Sequence, residues 1–427
     1  MSLAERLKGI IPIVCLILIG EMIFSLPFHV TRFFRPTMLQ VFACTNLELG
    51  AMFSAYGVTA MIAYFPGGTI ADRYSARKLM ALAAFTTALG GIYMATIPSI
   101  MGMTALYGYW GVTSILLFWA AMIRATREWG GSSSQGKAFG LLEGGRGLVA
   151  AGVASVTVYL FSSYLPAEIV NTTDDERRAG LQAVIWTYTV LTALVGALVW
   201  MFIPDSEIGS GDDARKLDVK SIKRVLGMPA VWLIAMIVIC AYCGYKALDN
   251  YSLFAVDAYG MNEVEGAKLS TWAAWIRPVA AVCIGIFADK VSSAKATTWS
   301  FSILVLSYAL FVFITPDAGK MTILYITIFL TATVVYGLRG LYFALLEESK
   351  IPPAVTGTAV GVISLVGYTP DIFIMPVAGW LIDRTPGAGG HQHFFAVMMG
   401  ISLLGLIAII LLRRTMSSAE AQAEPVL

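Results

Sequence analysis

Gly68-Thr69-Ile70-Ala71-Asp72-Arg73-Tyr74-Ser75-Ala76-Arg77-Lys78 closes one long apolar run and precedes the next, with five ionisable groups in the seven residues from Asp72 to Lys78. A weaker copy returns 217 positions later as Gly285-Ile286-Phe287-Ala288-Asp289-Lys290-Val291-Ser292-Ser293-Ala294-Lys295. A charged hairpin between two hydrophobic runs, present once in each half, points to a duplicated membrane protein.

Composition agrees. Of 427 residues 58% are hydrophobic and 13% charged, about half the charge of a soluble domain. The net charge of +2 suggests no nucleic-acid partner, and 22 Phe, 18 Tyr and 10 Trp suit a protein anchored at two bilayer interfaces. Cys240 and Cys243 form a C-x-x-C inside an apolar run, where packing is the simpler reading; five scattered cysteines imply no disulfide framework. No nucleophile–base or metal constellation argues for an enzyme, and no cofactor is expected.

Outward from the hairpin, twelve runs are long enough to cross about 30 Å of hydrocarbon as helices: 10–31, 47–71, 79–99, 102–126, 136–162, 181–203, 230–255, 267–288, 297–315, 321–346, 355–382 and 393–413. Met1 to Lys8 is a short charged leader without a small-residue cleavage site, so the first run reads as a retained helix. The longest polar interruption follows the sixth run. The expected organisation is an N-terminal six-helix bundle (1–203), a cytoplasmic linker (204–228), a C-terminal six-helix bundle (229–414) and a disordered tail (415–427). With the N-terminus in the cytoplasm, 18 Lys and Arg fall in inner segments, 7 in outer ones (Arg32 and Arg35 among them) and 4 inside spans, accounting for all 29. That bias places both termini inside.

The halves repeat. Pro12 matches Pro229, Thr45-Asn46-Leu47-Glu48 matches Asn262-Glu263-Val264-Glu265, and Gly68 and Asp72 match Gly285 and Asp289, all at 217 positions. Both tetrads read as capping boxes. A six-helix shift keeps both copies in the same orientation, a parallel repeat about an axis normal to the membrane.

Gly68-x-x-x-Asp72-Arg73-x-x-x-Arg77-Lys78, with its second copy at Gly285, Asp289 and Lys290, resembles the signature loop of the major facilitator superfamily. The likeness covers essentially the whole chain. It implies an all-α integral membrane fold of 12 transmembrane helices in two parallel-repeat six-helix bundles, in a cytoplasmic (inner) membrane, working as a monomer by alternating access. It also implies a latch. Gly68 would allow close helix approach, and Asp72 would sit at the N-terminus of helix eleven near Pro352-Pro353. Arg77 would meet an acid at the end of helix four, Glu128 beside Arg124 and Arg127. Asp289, with Lys290, would face Ser132-Ser133-Ser134 at the start of helix five. Arg73 and Lys78 complete the latch, which would hold the outward-open state.

Charges inside spans cost about 2.5–3.5 kcal/mol each on insertion scales and mark function. They are Glu21, Glu143 with Arg146, Lys246 with Asp249, Arg277, Arg339 and Asp371, four acids against four bases. The two i,i+3 pairs can neutralise themselves. Arg277, with Arg146, Lys246, Arg339 and Tyr242, is the substrate-binding set; guanidinium suits carboxylate or phosphate, and some anion carriers of the family use a basic residue on this helix. Glu21, Asp371, Glu143 and Asp249 are the proton-coupling set. Tyr245, Trp119 and Tyr368 could line the cavity, Arg32 and Arg35 form an outer electrostatic funnel or ordinary loop charge, and His391-Gln392-His393 is a solvated loop.

Helix five carries Gly140-Leu141-Leu142-Glu143-Gly144-Gly145-Arg146-Gly147 without the proline of drug/proton antiporters. Pro204-Asp205-Ser206-Glu207 lacks features of the sugar-porter motif. The chain therefore looks more like a bacterial permease branch, loosely similar to organic-anion and organophosphate carriers. The function expected is a secondary active transporter of a small polar, anionic metabolite, coupled to protons or another ion. The rivals are a carrier of zwitterionic, neutral sugar or amphipathic compounds (including efflux) and a transporter-like ligand sensor.

Overall fold

In hydrocarbon every backbone N–H and C=O must find its partner within the protein, which leaves helices or a closed barrel. The computed structural model describes residues 3–131, 135–166, 168–205, 219–342, 344–349 and 351–423, and among these it contains helices and no strand. Eleven described segments are long and apolar enough to span: α1 (Gly9–Val41), α2 (Asn46–Arg73), α3 (Ala76–Ala95), α4 (Ile100–Gly130), α5 (Lys137–Ser163), α6 (Asp174–Phe202), α7 (Pro229–Tyr259), α9 (Ser293–Phe313), α10 (Met321–Leu341), α11 (Val355–Arg384) and α12 (Ala388–Met416). Between α7 and α9 runs α8 (Glu263–Val291), 29 residues long and carrying Lys268 and Arg277. It completes the twelve.

The caps fall where the tetrads predict. Thr45 and Glu48 cap α2 reciprocally, and Asn262 and Glu265 cap α8. A third capping box, Thr173 with Glu176, starts α6. Large apolar side chains such as Phe65 and Trp299 stay 69% and 57% exposed, as lipid-facing residues do.

Three sequence expectations change. First, α1 runs ten residues past 31 through a π-helical turn at Ser25–His29, so Arg32 and Arg35 are not outer-loop charge; both are buried. Their partners lie on other helices, which no local pattern reveals. Second, the last helix continues to Ala423, into the stretch expected to be disordered. Extending a formed helix through Ala, Glu and Gln is favourable. Third, His391 belongs to α12, buried, with Nε2 3.0 Å from Asp257 Oδ2, and is not in a solvated loop. In the linker, Val219–Leu226 is helical and 206–218 lie outside the described residues.

What positions the site is where the two sequence halves meet. Along α2 and α11 small residues let backbones touch. A Cβ on Gly50 would lie 2.7 Å from the carbonyl of Met375, one on Gly57 2.8 Å from Asp371, and one on Gly379 2.3 Å from the carbonyl of Asn46. The described hydrogen bonds between the halves gather at the end bearing residues 42–45 and in the middle. Asp383 Oδ1 accepts from the Asn46 backbone N–H (3.1 Å) and side chain (3.0 Å), and Oδ2 from the Leu47 N–H (2.7 Å). Glu263 accepts from Thr37 (2.8 Å) and Arg177 (2.6 Å).

The signature-loop end is arranged differently. Asp72 and Arg73 are exposed, and a Cβ on Gly68 would meet nothing within 4 Å; Gly67 is the glycine packed on the α4 backbone. Arg77 does not reach Glu128. It binds Asp205 at the end of α6 (2.7 Å), with Lys78 3.9 Å from the same oxygen, because α3 packs along α6. Glu128 pairs instead with Arg124 on its own helix (3.3 Å), and Arg124 also donates to the carbonyls of Ala71 and Tyr74. Lys290 is exposed; the Asp289 side chain and Ser132–Ser134 lie outside the described residues.

Candidate functional site

Helices α1, α2, α4, α5, α7, α10 and α11 enclose a cavity of about 90 Å³ between the halves. Of the predicted site residues Glu21, Arg146, Tyr242, Lys246, Arg339 and Asp371 line it, and so do Trp119, Tyr245 and Tyr368. Glu143, Asp249 and Arg277 are not in its wall.

The charges sort into two clusters and a remainder. In the first, Glu21 Oε1 accepts from Arg277 Nη1 (2.8 Å) and lies 3.2 Å from His29 Nε2, while Glu21 Oε2 accepts from Arg146 Nε (3.0 Å). Glu143 joins both arginines, 2.6 Å from Arg146 Nη1 and 3.5 Å from Arg277 Nη2. Two carboxylates and two guanidiniums thus form a neutral quartet, with an imidazole at its edge. Arg277, placed first by sequence, belongs to this quartet; Gly147 on α5 gives it room, a Cβ there lying 3.2 Å from Arg277 Cγ.

The second cluster is a chain. Arg32 Nε donates to Asp249 Oδ1 (2.5 Å), Lys246 Nζ lies 3.3 Å from Asp249 Oδ2 and 3.4 Å from Asp371 Oδ1, and Tyr242 donates to Asp371 at 3.0 Å. Lys246 also lies 4.2 Å from the Phe28 ring centre. This cluster is neutral too. The two i,i+3 pairs noticed in the sequence do form, but neither is isolated: each is one link in a network crossing between halves. Asp371 enters where α11 is interrupted, the helical pieces Pro353–Gly367 and Pro370–Arg384 meeting at Tyr368–Thr369.

Arg339 remains. Its guanidinium lies 4.0 Å from the Tyr245 ring centre, and among the described residues no carboxylate is within ion-pairing distance. The zero charge sum read from sequence is therefore corrected. Arg32 enters the cavity's account from the extended α1, and five cations face four carboxylates, leaving one positive charge at the wall.

Two residues escaped sequence reasoning for different reasons. His29 is eight positions from Glu21, beyond the adjacent i,i+3 and i,i+4 pairs, and sits at the end of the π-helical turn Ser25–His29. Arg32 and Asp249 are 217 positions apart, the spacing of the repeat itself. Repeat-equivalent positions on the first and seventh helices meet near the axis relating the halves, so opposite charges at that spacing were a usable signal. Among the described residues no group of His, Cys, Asp and Glu could hold a metal ion.

A multi-pass helical protein with a charged cavity between two repeated halves is a membrane carrier. The chain belongs to the Major Facilitator Superfamily, whose model matches residues 17–370. It is 29% identical to the inner membrane protein YqcE of Escherichia coli (strain K12) over 398 residues, covering 90% of this chain and 91% of that one. It is 25% identical to the inner membrane protein YihN of the same organism, covering 95% and 96%. Among solved structures it matches a bacterial homolog of the human lysosomal transporter Spinster, inward-facing and unoccupied, with TM-score 0.74, 12% identity and 98% of both chains covered. It also matches the nucleoside transporter NupG with TM-score 0.69, 14% identity and 96% and 99% covered. At these identities the solved structures speak for the fold alone. The chain is a transporter and not an enzyme.

Proposed function

We propose that this protein moves a small anionic metabolite across the inner membrane by alternating access as a monomer, in symport or antiport with protons. The observation that carries the reading is Arg339, the cavity-lining cation with no carboxylate partner among the described residues. Arg339 is half-buried at the cavity wall, and a partly desolvated cation without a counter-ion is less stable than a paired one; an anion between Arg339 and Arg146 would supply one. Asp371, 13% exposed in its side chain, favours one second reading, a zwitterion whose ammonium group meets that carboxylate. The test is uptake into proteoliposomes of a panel of organic phosphates, carboxylates, sulfonates, amino acids and neutral sugars, with and without a pH gradient. Accumulation of anions supports the proposal. Accumulation confined to zwitterions or sugars overturns it, and binding without accumulation indicates a sensor.

With both termini in the cytoplasm, the signature-loop end is the cytoplasmic end, and this state opens there. Asp72 is exposed while Asp383 holds the N-terminus of α2. Two carboxylates would then serve alternately, Asp72 on α11 when the cytoplasmic end is shut and Asp383 on α2 when the outer end is shut. A carboxylate at a helix N-terminus contributes about 1 kcal/mol, roughly a fivefold shift in population. Asp383→Asn is therefore expected to favour the outward-open state about fivefold. With spin labels on cysteines placed at exposed Tyr74 and Lys290 in a background lacking the native cysteines, the short-distance population should grow; an unchanged distance distribution would sink the idea.

A further inference from the structure

We propose that His29, paired with Glu21, takes up and releases the coupled proton; this rests on the transporter reading above. Four observations converge. The imidazole lines the cavity, so water and cargo can reach its neighbourhood. Its Nε2 lies 3.2 Å from Glu21 Oε1, the oxygen that also accepts from Arg277. With the proton on Nε2 in that contact, the neutral ring keeps the Nδ1 lone pair for a second one. His29 sits on the π-helical turn of α1, a local irregularity that places its ring beside Glu21. Finally, the 217-position repeat makes His29 the equivalent of Lys246, which lies between Asp249 and Asp371. Each half thus presents one nitrogen base to its own carboxylate at the same register. The second half uses an ammonium, the first an imidazole, whose ring nitrogens can gain and lose a proton.

The coupling follows from charge. The quartet of Glu21, Glu143, Arg146 and Arg277 is neutral, and Arg146 is its cavity-facing cation. An anion that draws Arg146 toward Arg339 and loosens Arg277 leaves Glu21 ionised with His29 alone. An uncompensated buried charge is strongly unfavourable. One proton from cavity water then adds to His29 Nδ1, giving an imidazolium held to the Glu21 carboxylate through Nε2–H. When cargo leaves and the arginines return, that proton is repelled to water. The groups facing His29 are Glu21 and, one turn on, Arg32 from α1, Glu143 and Arg146 from α5, Arg277 from α8, and the Tyr188 ring of α6 at 6.1 Å.

Two measurements decide it. The chain has three histidines, so nitrogen-15 histidine spectra of the purified protein resolve His29, assigned by its loss in His29→Gln. The expected result is a change of ring protonation within the pH range in which the protein stays folded, with a midpoint that moves in Glu21→Gln. A ring fixed in one state throughout that range, or indifferent to Glu21→Gln, overturns the proposal without any substrate. In proteoliposomes, taking an anion from the panel that the wild type moves, one proton per cargo lets a one-unit pH gradient drive about tenfold accumulation. His29→Gln should abolish that accumulation and the cargo-linked acidification of an interior pH dye and weaken cargo counterflow, while its thermal unfolding in detergent stays near wild type. Gradient-driven accumulation retained in His29→Gln overturns the proton role and leaves the carrier reading standing. A wild type that moves no anion overturns the anion reading, and the spectra then decide His29 alone.

Discussion

Arg339→Ala is expected to raise the half-saturating cargo concentration by about a hundredfold while leaving the protein folded and inserted. Losing one desolvated charge contact to an anion costs about 3 kcal/mol, at 1.4 kcal/mol per tenfold. The fold should survive because Arg339 holds no carboxylate among the described residues; its described contact is the face of Tyr245, of the order of 0.5–2 kcal/mol. Arg339→Lys keeps the charge but loses the planar fork and should fall between the two. Arg277 makes the informative contrast. It is bound to Glu21 and Glu143, so Arg277→Ala takes one partner from a buried carboxylate, Glu21, and one from the more exposed Glu143. Lost transport there could come from a disturbed quartet. Concentration dependence of uptake, set beside thermal unfolding in detergent, separates the two residues. Near-normal uptake by Arg339→Ala would overturn the anion reading.

The ranking of these two arginines shows where sequence reading ends. Spans, loops and the superfamily were readable because hydrophobic run length and the Gly68–Lys78 hairpin are local patterns that lipid enforces. The ring of charges was readable as composition, since an ionised group in a span is rare enough to notice. Its wiring was not. Whether Arg277 or Arg339 is the unspent cation depends on Glu21 lying under Arg277, 256 positions away, and nothing along the chain encodes that crossing. The expected Arg77–Glu128 contact is not made for a related reason. The signature motif names residues that meet in one conformational state, and here Arg77 is engaged with Asp205 while Asp72 stands exposed. His29 lies two turns beyond Glu21, outside the adjacent i,i+3 and i,i+4 pairs, and Arg32 lies one position past the expected end of the first span.

Arg32→Met and Asp249→Leu should each cost about 3–5 kcal/mol of folding stability, and the double substitution should recover most of it. The pair is wholly buried, with side chains 5% and 0% exposed, and removing one partner strands the other in a low-dielectric interior. The local charge count says why the double form differs. Arg32, Lys246, Asp249 and Asp371 sum to zero; each single substitution leaves one unit uncompensated, while the double leaves Lys246 with Asp371. Thermal unfolding of the four proteins measures the coupling, and a double variant as unstable as the sum of the singles would refute it. Transport should not recover with stability. On the alternating-access proposal the ion pair joins the halves at an end that must open, and when that end is wet both charges are hydrated. Met and Leu at these positions attract each other while buried and lose about 25 cal/mol per Å² of apolar surface when exposed. The double variant is therefore expected to stay shut at that end, folded and slow. A pair of opposite charges at repeat-equivalent positions is an interface that can part and re-form, which an apolar contact of equal strength in this state cannot do at comparable cost.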